Sequence, residues 1–178
     1  MNEMEQRKID NISMTQMVSL VTAALTDFYA RDHMLFRDKD ESLAVSERAM
    51  AARIGIYLEM HRNIIGSFDD LSIDLEYNRN FNDPKSIYSL FNRQRRNVIP
   101  DLLIHKRNSN DDNLLVIEFK KGTPPFSERQ NDEEKLRYFT DSRNEYRFRF
   151  GMYIELHHWG AYVDIYRNGH KVDGFVYR

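Results

Sequence analysis

Two apolar stretches, VIPDLLI (98–104) and NLLVIEFKK (113–121), decide the fold of this 178-residue chain. Each is short, rich in aliphatic residues and bounded by polar segments, which is typical of a buried strand. The segment between them is polar and rich in turn-forming residues, so the two strands are predicted to pair as a hairpin. Yet the first stretch contains Asp101 and the second contains Glu118 and Lys120, although ionised groups are seldom buried unless they are paired or bind a metal.

The predicted hairpin would bring these three charged side chains together. If its loop is centred near residue 109 or 110, Asp101 lies opposite or nearly opposite Glu118, and opposite residues point to the same face of a sheet. Lys120 follows Glu118 by two positions and therefore shares that face. The other face of the second strand would carry the core residues Leu115, Ile117 and Phe119.

Two adjacent carboxylates repel each other, so one pKa rises and the pair costs stability unless something neutralises it. Mg²⁺ can do so, because it prefers carboxylate oxygen and water and commonly takes one or two protein carboxylates. A bound metal activates water and shields a phosphate, and a neighbouring lysine stabilises charge that develops on phosphorus. Asp101, Glu118 and Lys120 therefore match metal-assisted hydrolysis of a phosphodiester.

Composition narrows the class of protein. Hydrophobic residues make up 41% and charged residues 30%, which suits one soluble domain. The net charge of -2 argues against a protein that coats nucleic acid by bulk charge, but not against a local basic cleft. The absence of cysteine excludes disulfides and sulfur-liganded zinc. The sequence has no signal peptide and no membrane-length apolar run, so we expect a cytoplasmic protein with no membrane contact.

The N-terminal part of the sequence predicts two helices. Residues 1–12 are predicted to be a polar leader that could be disordered, and 13–178 a single domain. Ser13 would cap a first helix, and a second helix is predicted within 38–63. The first helix has an apolar stripe of Met17, Leu20, Val21, Ala24, Leu25 and Phe28. The second has a stripe of Leu43, Met50, Ile54, Tyr57 and Leu58. Glu47 interrupts that second stripe, where a carboxylate is unusual.

Strands and one further helix complete the predicted order. The stretch DLSIDLEYNR (70–79) alternates as a half-buried strand does, with Asp74 and Glu76 on its polar face. The segment SIYSLFNRQRR (86–96) is predicted to be helical, and NDEEKLRYFTDSR (131–143) a helix that precedes three aromatic-rich strands. The resulting order α, α, β, β, β, α, β, β, β is that of a mixed α/β layer fold.

The strand pair resembles the signature of a known superfamily. Pro100-Asp101, followed 17 positions later by Glu118-Phe119-Lys120, is similar to the PD-(D/E)xK motif of restriction-endonuclease-like nucleases. The resemblance covers about residues 35 to 165 and is greatest to small, stand-alone bacterial or phage-associated members. It implies an α/β fold with the core order αβββαβ, to which this chain adds an N-terminal helix and C-terminal strands.

The resemblance also implies a nuclease that depends on Mg²⁺ or Mn²⁺ and acts on nucleic acid, with DNA favoured over RNA. Asp101 and Glu118 would bind the metal, and the carbonyl of Phe119 could join them. Glu47, from the first core helix, matches the position at which the superfamily often adds a glutamate to the metal site.

The same resemblance assigns roles to two lysines. Lys120 would position the attacking water and stabilise the transition state, and Lys135, from the second core helix, would line the site as well. Many nucleases of this type dimerise in order to cut two strands. A homodimer therefore stays open, although nothing in the sequence identifies an interface.

Other interpretations of these residues remain open. Glu118 and Lys120 would also suit an ordinary ion pair at a sheet edge, and Glu47 could pair with Arg53 or Arg96. The basic run NRQRRN (92–97) could contact phosphates or form a solvated surface.

The fold also leaves the activity open, because fold does not fix function. The chain could be a catalytically inactive module of this fold that binds nucleic acid or a partner protein. It could also be a structural subunit of a larger complex.

Overall fold

A computed structural model describes residues 8–36, 45–66, 70–89 and 93–178. Three α-helices fall within them: α1 Met14–Asp32, α2 Glu47–Met60 and α3 Phe126–Thr140. The strands in these residues are β1 Ser72–Leu75, β2 Arg79–Asn80, β3 Asp83–Pro84, β4 Ser86–Ser89, β5 Gln94–Asn97, β6 Leu102–His105, β7 Asn113–Lys121, β8 Phe150–His157, β9 Gly160–Arg167 and β10 His170–Tyr177. None of the helices in the described ranges is both long and apolar enough to span a membrane.

The fold is a mixed α/β layer built on one six-stranded sheet with the order β1-β6-β7-β8-β9-β10. Four of the neighbouring pairs are antiparallel. The pair β7–β8 is parallel, because α3 carries the chain from the end of β7 back to the start of β8. Two small hairpins, β2–β3 and β4–β5, lie outside this sheet.

The strand pair predicted from the apolar stretches is present. Leu102 pairs with Ile117 and Leu103 pairs with Val116 in an antiparallel register. The predicted strand at 98–105 is shorter than expected, since residues 98–100 precede it without regular structure. Pro100 explains part of the difference, because proline has no N–H to donate to a sheet.

The main sheet separates two hydrophobic clusters. On one face α1 and α2 pack over Leu115, Ile117 and Phe119, which are the residues predicted to form the core side of β7. On the opposite face α3 packs over Leu103 and Val116. The two-residue period of β7 therefore directs neighbouring side chains into different clusters, and Glu118 and Lys120 belong to the α3 side.

The first two helices begin at capping serines. Ser13 Oγ accepts a hydrogen bond of 3.2 Å from Gln16 N, and the Gln16 side chain bonds back to Ser13 N, which completes a capping box. All six predicted stripe residues of α1 are buried. The second helix is shorter than predicted, because Ser46 caps it and Glu47 is its first residue. Leu43 and the predicted start near residue 38 lie outside the described residues.

Two further predictions differ from the structure. The segment 86–96, predicted to be helical, contains the strands of the β4–β5 hairpin. Burial in β4 alternates with a period of two, so that Ile87 is buried and Tyr88 exposed. The predicted leader also ends earlier than residue 12, because Ile9 and Ile12 are buried in the α1/α2 cluster. Residues 1–7 of that leader lie outside the described residues.

The alternation of residues 70–79 predicted a half-buried strand, and the edge strand β1 matches that prediction only in part. Leu71 is buried and Ile73 partly so, but Leu75 is exposed. Asp74, on the polar face of this strand, is only partly exposed; its carboxylate pairs with Arg107 and lies 3.0 Å from His105 Nε2. An edge strand has only one neighbour, so side chains from the adjoining loop can reach its polar groups.

Candidate active site

Asp101 lies at the point where the β6–β7 ladder ends. It directly precedes β6, one position beyond the Leu102–Ile117 pair, and therefore sits across from the Glu118–Phe119 segment. Its Oδ2 accepts a hydrogen bond of 2.7 Å from the backbone N–H of Phe119. Burial raises the pKa of Asp101, although the Phe119 hydrogen bond acts in the opposite direction. A single backbone donor thus fixes the carboxylate next to β7.

Glu118 is the most deeply buried carboxylate of the site, with 1% of its surface exposed. Its Oε2 pairs with Lys135 Nζ of α3. Its Oε1 has no hydrogen-bond partner among the described residues. Burial raises the pKa of Glu118 well above its usual range, and Lys135 offsets only part of that effect. The site therefore holds a desolvated carboxylate with one oxygen free to accept a ligand.

Lys120 joins the sheet to both flanking helices. Its Nζ lies 3.1 Å from Asp132 Oδ2 of α3 and 3.4 Å from Glu47 Oε2 of α2. The contact with Asp132 is an ion pair that lacks hydrogen-bond geometry. Burial alone would lower the pKa of Lys120, but the charges of Asp132 and Glu47 outweigh it and raise the pKa. Lys120 is therefore a cation at neutral pH and not a proton acceptor.

Asp132 was not predicted from the sequence. It is buried, and its Oδ1 lies 2.7 Å from Lys135 Nζ one turn further along α3. The i, i+3 spacing of Asp132 and Lys135 would have suggested this pair, but not the contact with Lys120. The ion pairs form what we call the charge chain, an alternating series of Glu47, Lys120, Asp132, Lys135 and Glu118.

Glu47 does not lie on the core face of α2, although its place in the apolar stripe predicted that it would. Because the helix begins at this residue, its side chain is 42% exposed at the helix N-terminus. It pairs with neither of the arginines considered from the sequence. Arg53 pairs with Asp32 at 2.7 Å, and Arg96 pairs with Glu134 at 3.3 Å.

A cleft of about 210 Å³ opens beside Asp101. Its lining residues are Glu47, Arg48, Ala51, Leu75, Glu76 and Asp101. Arg48 is 74% exposed, and its guanidinium lies 3.0 Å from Glu76 Oε2. The cleft therefore combines carboxylates with one cation, Arg48, whose ion pair with Glu76 is exposed.

Comparisons of the chain with models of protein families, with curated proteins and with solved structures found no match. The chemistry of the site is therefore inferred from its own residues.

The carboxylates of the site do not form a preassembled metal cage. In the described ranges, no three side chains of Asp, Glu, His or Cys surround a common point that could hold a metal ion. Lysines separate the carboxylates along the charge chain, and Phe119 contributes its N–H to Asp101 while its ring packs in the core. The donors that remain are oxygen atoms, the kind that Mg²⁺ and Mn²⁺ prefer.

Proposed function

We propose that this protein is a nuclease that uses Mg²⁺ or Mn²⁺ to hydrolyse phosphodiester bonds, with DNA favoured over RNA. The observation that carries this proposal is the buried Oε1 of Glu118, which has no hydrogen-bond partner among the described residues and belongs to a carboxyl group close enough to Asp101 for the two charges to interact. An unpartnered buried carboxylate oxygen costs free energy. A cation bound there would recover that cost.

The order of the main elements supports the superfamily that the motif resembles. Helix α2 is followed by the antiparallel strands β1, β6 and β7, then by α3 and the parallel strand β8. With the two small hairpins β2–β3 and β4–β5 left aside, this order supports the αβββαβ core that the resemblance implies. Asp101 and Glu118-Phe119-Lys120 lie on the second and third antiparallel strands or at their ends, as that motif requires.

The donor atoms suit a metal bound by two protein carboxylates and water. Asp101 and Glu118 would hold the ion, and Glu118 could do so through Oε1 while Oε2 stays paired with Lys135. Mg²⁺ commonly takes only one or two carboxylates and keeps several waters, so the absence of a three-carboxylate group in the described part does not oppose this arrangement. The bound metal would supply an activated water and shield the phosphate.

The charge of Lys120 defines its role in this proposal. Because Asp132 and Glu47 keep it protonated, it would stabilise negative charge that develops on the phosphate and would not remove a proton from water. Lys135 would act as a positioning residue, since it holds one oxygen of Glu118. Glu47 would hold Lys120 more directly than it would hold the metal.

Plasmid cleavage tests the proposal. With Mg²⁺ or Mn²⁺ the purified protein should nick or cut DNA, whereas Asp101→Asn and Lys120→Met should not. Glu128→Gln is a matched control, because Glu128 is an exposed carboxylate on α3 outside the charge chain. If the wild type and both site variants behave alike on DNA and RNA, the proposed nuclease activity is wrong.

A second candidate, an inactive module that binds nucleic acid or a partner protein, is favoured by one observation. The charge chain already offsets the charge of Glu118 and Asp132 with two lysines, so the fold does not need a cation to neutralise them. Calorimetry with Mn²⁺ separates the two candidates. A nuclease should bind the ion in a manner that Asp101→Asn and Glu118→Gln abolish, and an inactive module should give no such signal.

A further inference from the structure

The β4–β5 hairpin has an inner and an outer face, which its register defines. Ile87 pairs with Arg96, and Tyr88 pairs with Arg95. Residues paired across antiparallel strands share a face. Ile87 is completely buried, whereas Tyr88 and Arg95 are exposed. The inner face therefore packs against the protein, and Tyr88 and Arg95 project from the outer face.

Glu134 of α3 fixes the inner face of the hairpin. Its Oε1 accepts a hydrogen bond of 3.0 Å from Ser89 Oγ of β4, and its Oε2 lies 3.3 Å from Arg96 of β5. One buried carboxylate thus holds both strands. The next residue of α3, Lys135, contacts Glu118, so a single turn of this helix holds both the hairpin and the candidate active site.

The hairpin is basic although the whole chain is not. Its described residues, 86–89 and 93–97, include three arginines and no acidic residue, in a protein with a net charge of -2. The Arg95 side chain is 62% exposed, and its ion-pair partner, Glu145 Oε1, lies 3.5 Å away and is also exposed. An exposed pair of this kind contributes little and exchanges readily for another anion. Arg93 is exposed on the same hairpin.

We propose that the exposed side of this hairpin, with Tyr88 and Arg95 on its outer face and Arg93 directly before β5, is an arm that binds the phosphodiester backbone of nucleic acid. The inference rests on the proposed nuclease function and names the surface that would hold its substrate. The carboxylates of the site repel phosphates, so substrate binding requires cations elsewhere. Guanidinium groups bind phosphate through paired hydrogen bonds. β5 ends at Asn97, four residues before Asp101, so the arm and the site are neighbours along the chain.

Tyr88 extends the arm toward unpaired bases. Its ring is exposed beside Arg95 on the outer face, and aromatic side chains of this kind stack on the bases of single strands. The arginines should therefore contribute to the binding of both duplexes and single strands, whereas Tyr88 should add affinity for single strands only.

The salt dependence of binding tests the arm. An Asp101→Asn protein, which should bind without cutting, is compared with the same protein carrying Arg93→Gln and Arg95→Gln, on a labelled duplex and on one of its strands. Each lost phosphate contact lowers the slope of log K against log salt on a duplex by about 0.9. The arm variant should therefore lose about 1.8 from that slope. Arg31→Gln with Arg178→Gln is the matched control, because it removes two exposed arginines outside the hairpin.

The outcomes separate the arm from the proposed function. A smaller slope in the arm variant alone, together with weaker binding of the single strand by Tyr88→Ala, supports the arm. If the wild type cuts DNA but the arm and control variants have equal slopes, the arm is wrong and the nuclease stands. If the parent protein binds neither nucleic acid, the arm and the proposed function fail together. Equal thermal melting of the variants checks that each is folded.

Discussion

The backbone N–H of Phe119 donates a hydrogen bond of 2.7 Å to Asp101 Oδ2, directly beyond the last β6–β7 pair. The aspartate side chain thus supplies the acceptor at the position where the sheet ladder ends. Lys120 and Lys135 influence its charge, but the backbone sets its position. Asp101 is therefore held in place differently from Glu118, whose Oε2 depends on a helix side chain.

The Asp101 hydrogen bond predicts a difference between two substitutions. Asp101→Asn keeps an oxygen that can accept from Phe119, so the free energy of unfolding should change little. Asp101→Ala leaves the N–H without its acceptor and should lower the free energy of unfolding by about 1–3 kcal/mol. Urea unfolding measures both values, and equal stabilities for the two variants would show that the bond does not stabilise the fold. Neither variant should retain nuclease activity.

Because Lys135 forms an ion pair with the buried Glu118, we expect the effects of their substitutions on the free energy of unfolding to be strongly coupled. Lys135→Met leaves the buried Glu118 without its cation and should cost about 3–5 kcal/mol. Glu118→Gln in the same protein removes the stranded charge, so the double variant should be more stable than Lys135→Met alone. Urea unfolding of the wild type, both single variants and the double variant gives the coupling energy. Strictly additive losses would contradict a direct ion pair.

Because Arg48 and Glu76 form an ion pair at the cleft, we expect substitutions of these two residues to change KM in opposite directions. If Arg48 contacts a substrate phosphate, Arg48→Gln should raise KM by about five- to tenfold and leave kcat nearly unchanged, since the arginine would contribute to binding and not to the reaction itself. Glu76→Gln releases the same arginine and should lower KM. Steady-state cleavage assays measure both constants. Shifts of KM in the same direction would rule out competition between Glu76 and substrate.

Because His105 is buried, we expect the free energy of unfolding to fall as the pH is lowered. Burial lowers its pKa below the usual 6.5, although the hydrogen bond to Asp74 opposes the effect. As pH falls through about 6.5 the unfolded chain binds a proton that the folded chain does not bind, so the folded state loses stability until its own lower pKa is reached. The hydrogen bond from Arg107 lowers the pKa of Asp74, so Asp74 adds a further loss of stability in stronger acid.

Urea midpoints at pH 7 and pH 5 measure this dependence. His105→Gln should have a smaller difference between the two midpoints than the wild type. The control is His170→Gln, because His170 is an exposed histidine, and it should retain the full difference. If both substitutions leave the difference unchanged, the buried histidine does not control acid stability.

The apolar runs of β6 and β7 made this part of the fold predictable from the sequence. Their length and the polar loop between them set the antiparallel pairing, and the period of two assigned Ile117 and Glu118 to opposite faces. The stripe of α1 was equally informative, because every residue in it is buried. Patterns that repeat within one element are visible in the sequence since they require no knowledge of the partner element.

Contacts between distant elements were not predictable in this way. Asp132 lies in a highly charged helical segment that suggests a solvated surface, and only the docking of α3 beside β7 brings it to Lys120. The β4–β5 hairpin was missed because its short strands give too few repeats to separate a period of 2 from one of 3.6. Glu47 was assigned to the core face because the start of α2 at Ser46 was not recognised.

The crossover from β7 through α3 to β8 also bears on synthesis of the protein. Glu118 and Lys120 leave the ribosome before Asp132 and Lys135, so the nascent chain carries the most buried carboxylate of the sheet before its counterion exists. Until α3 docks, Glu118 must remain hydrated or take up a proton. The burial of β7 therefore depends on the docking of α3. A chain truncated before that helix would keep a charged strand that cannot be buried in the core.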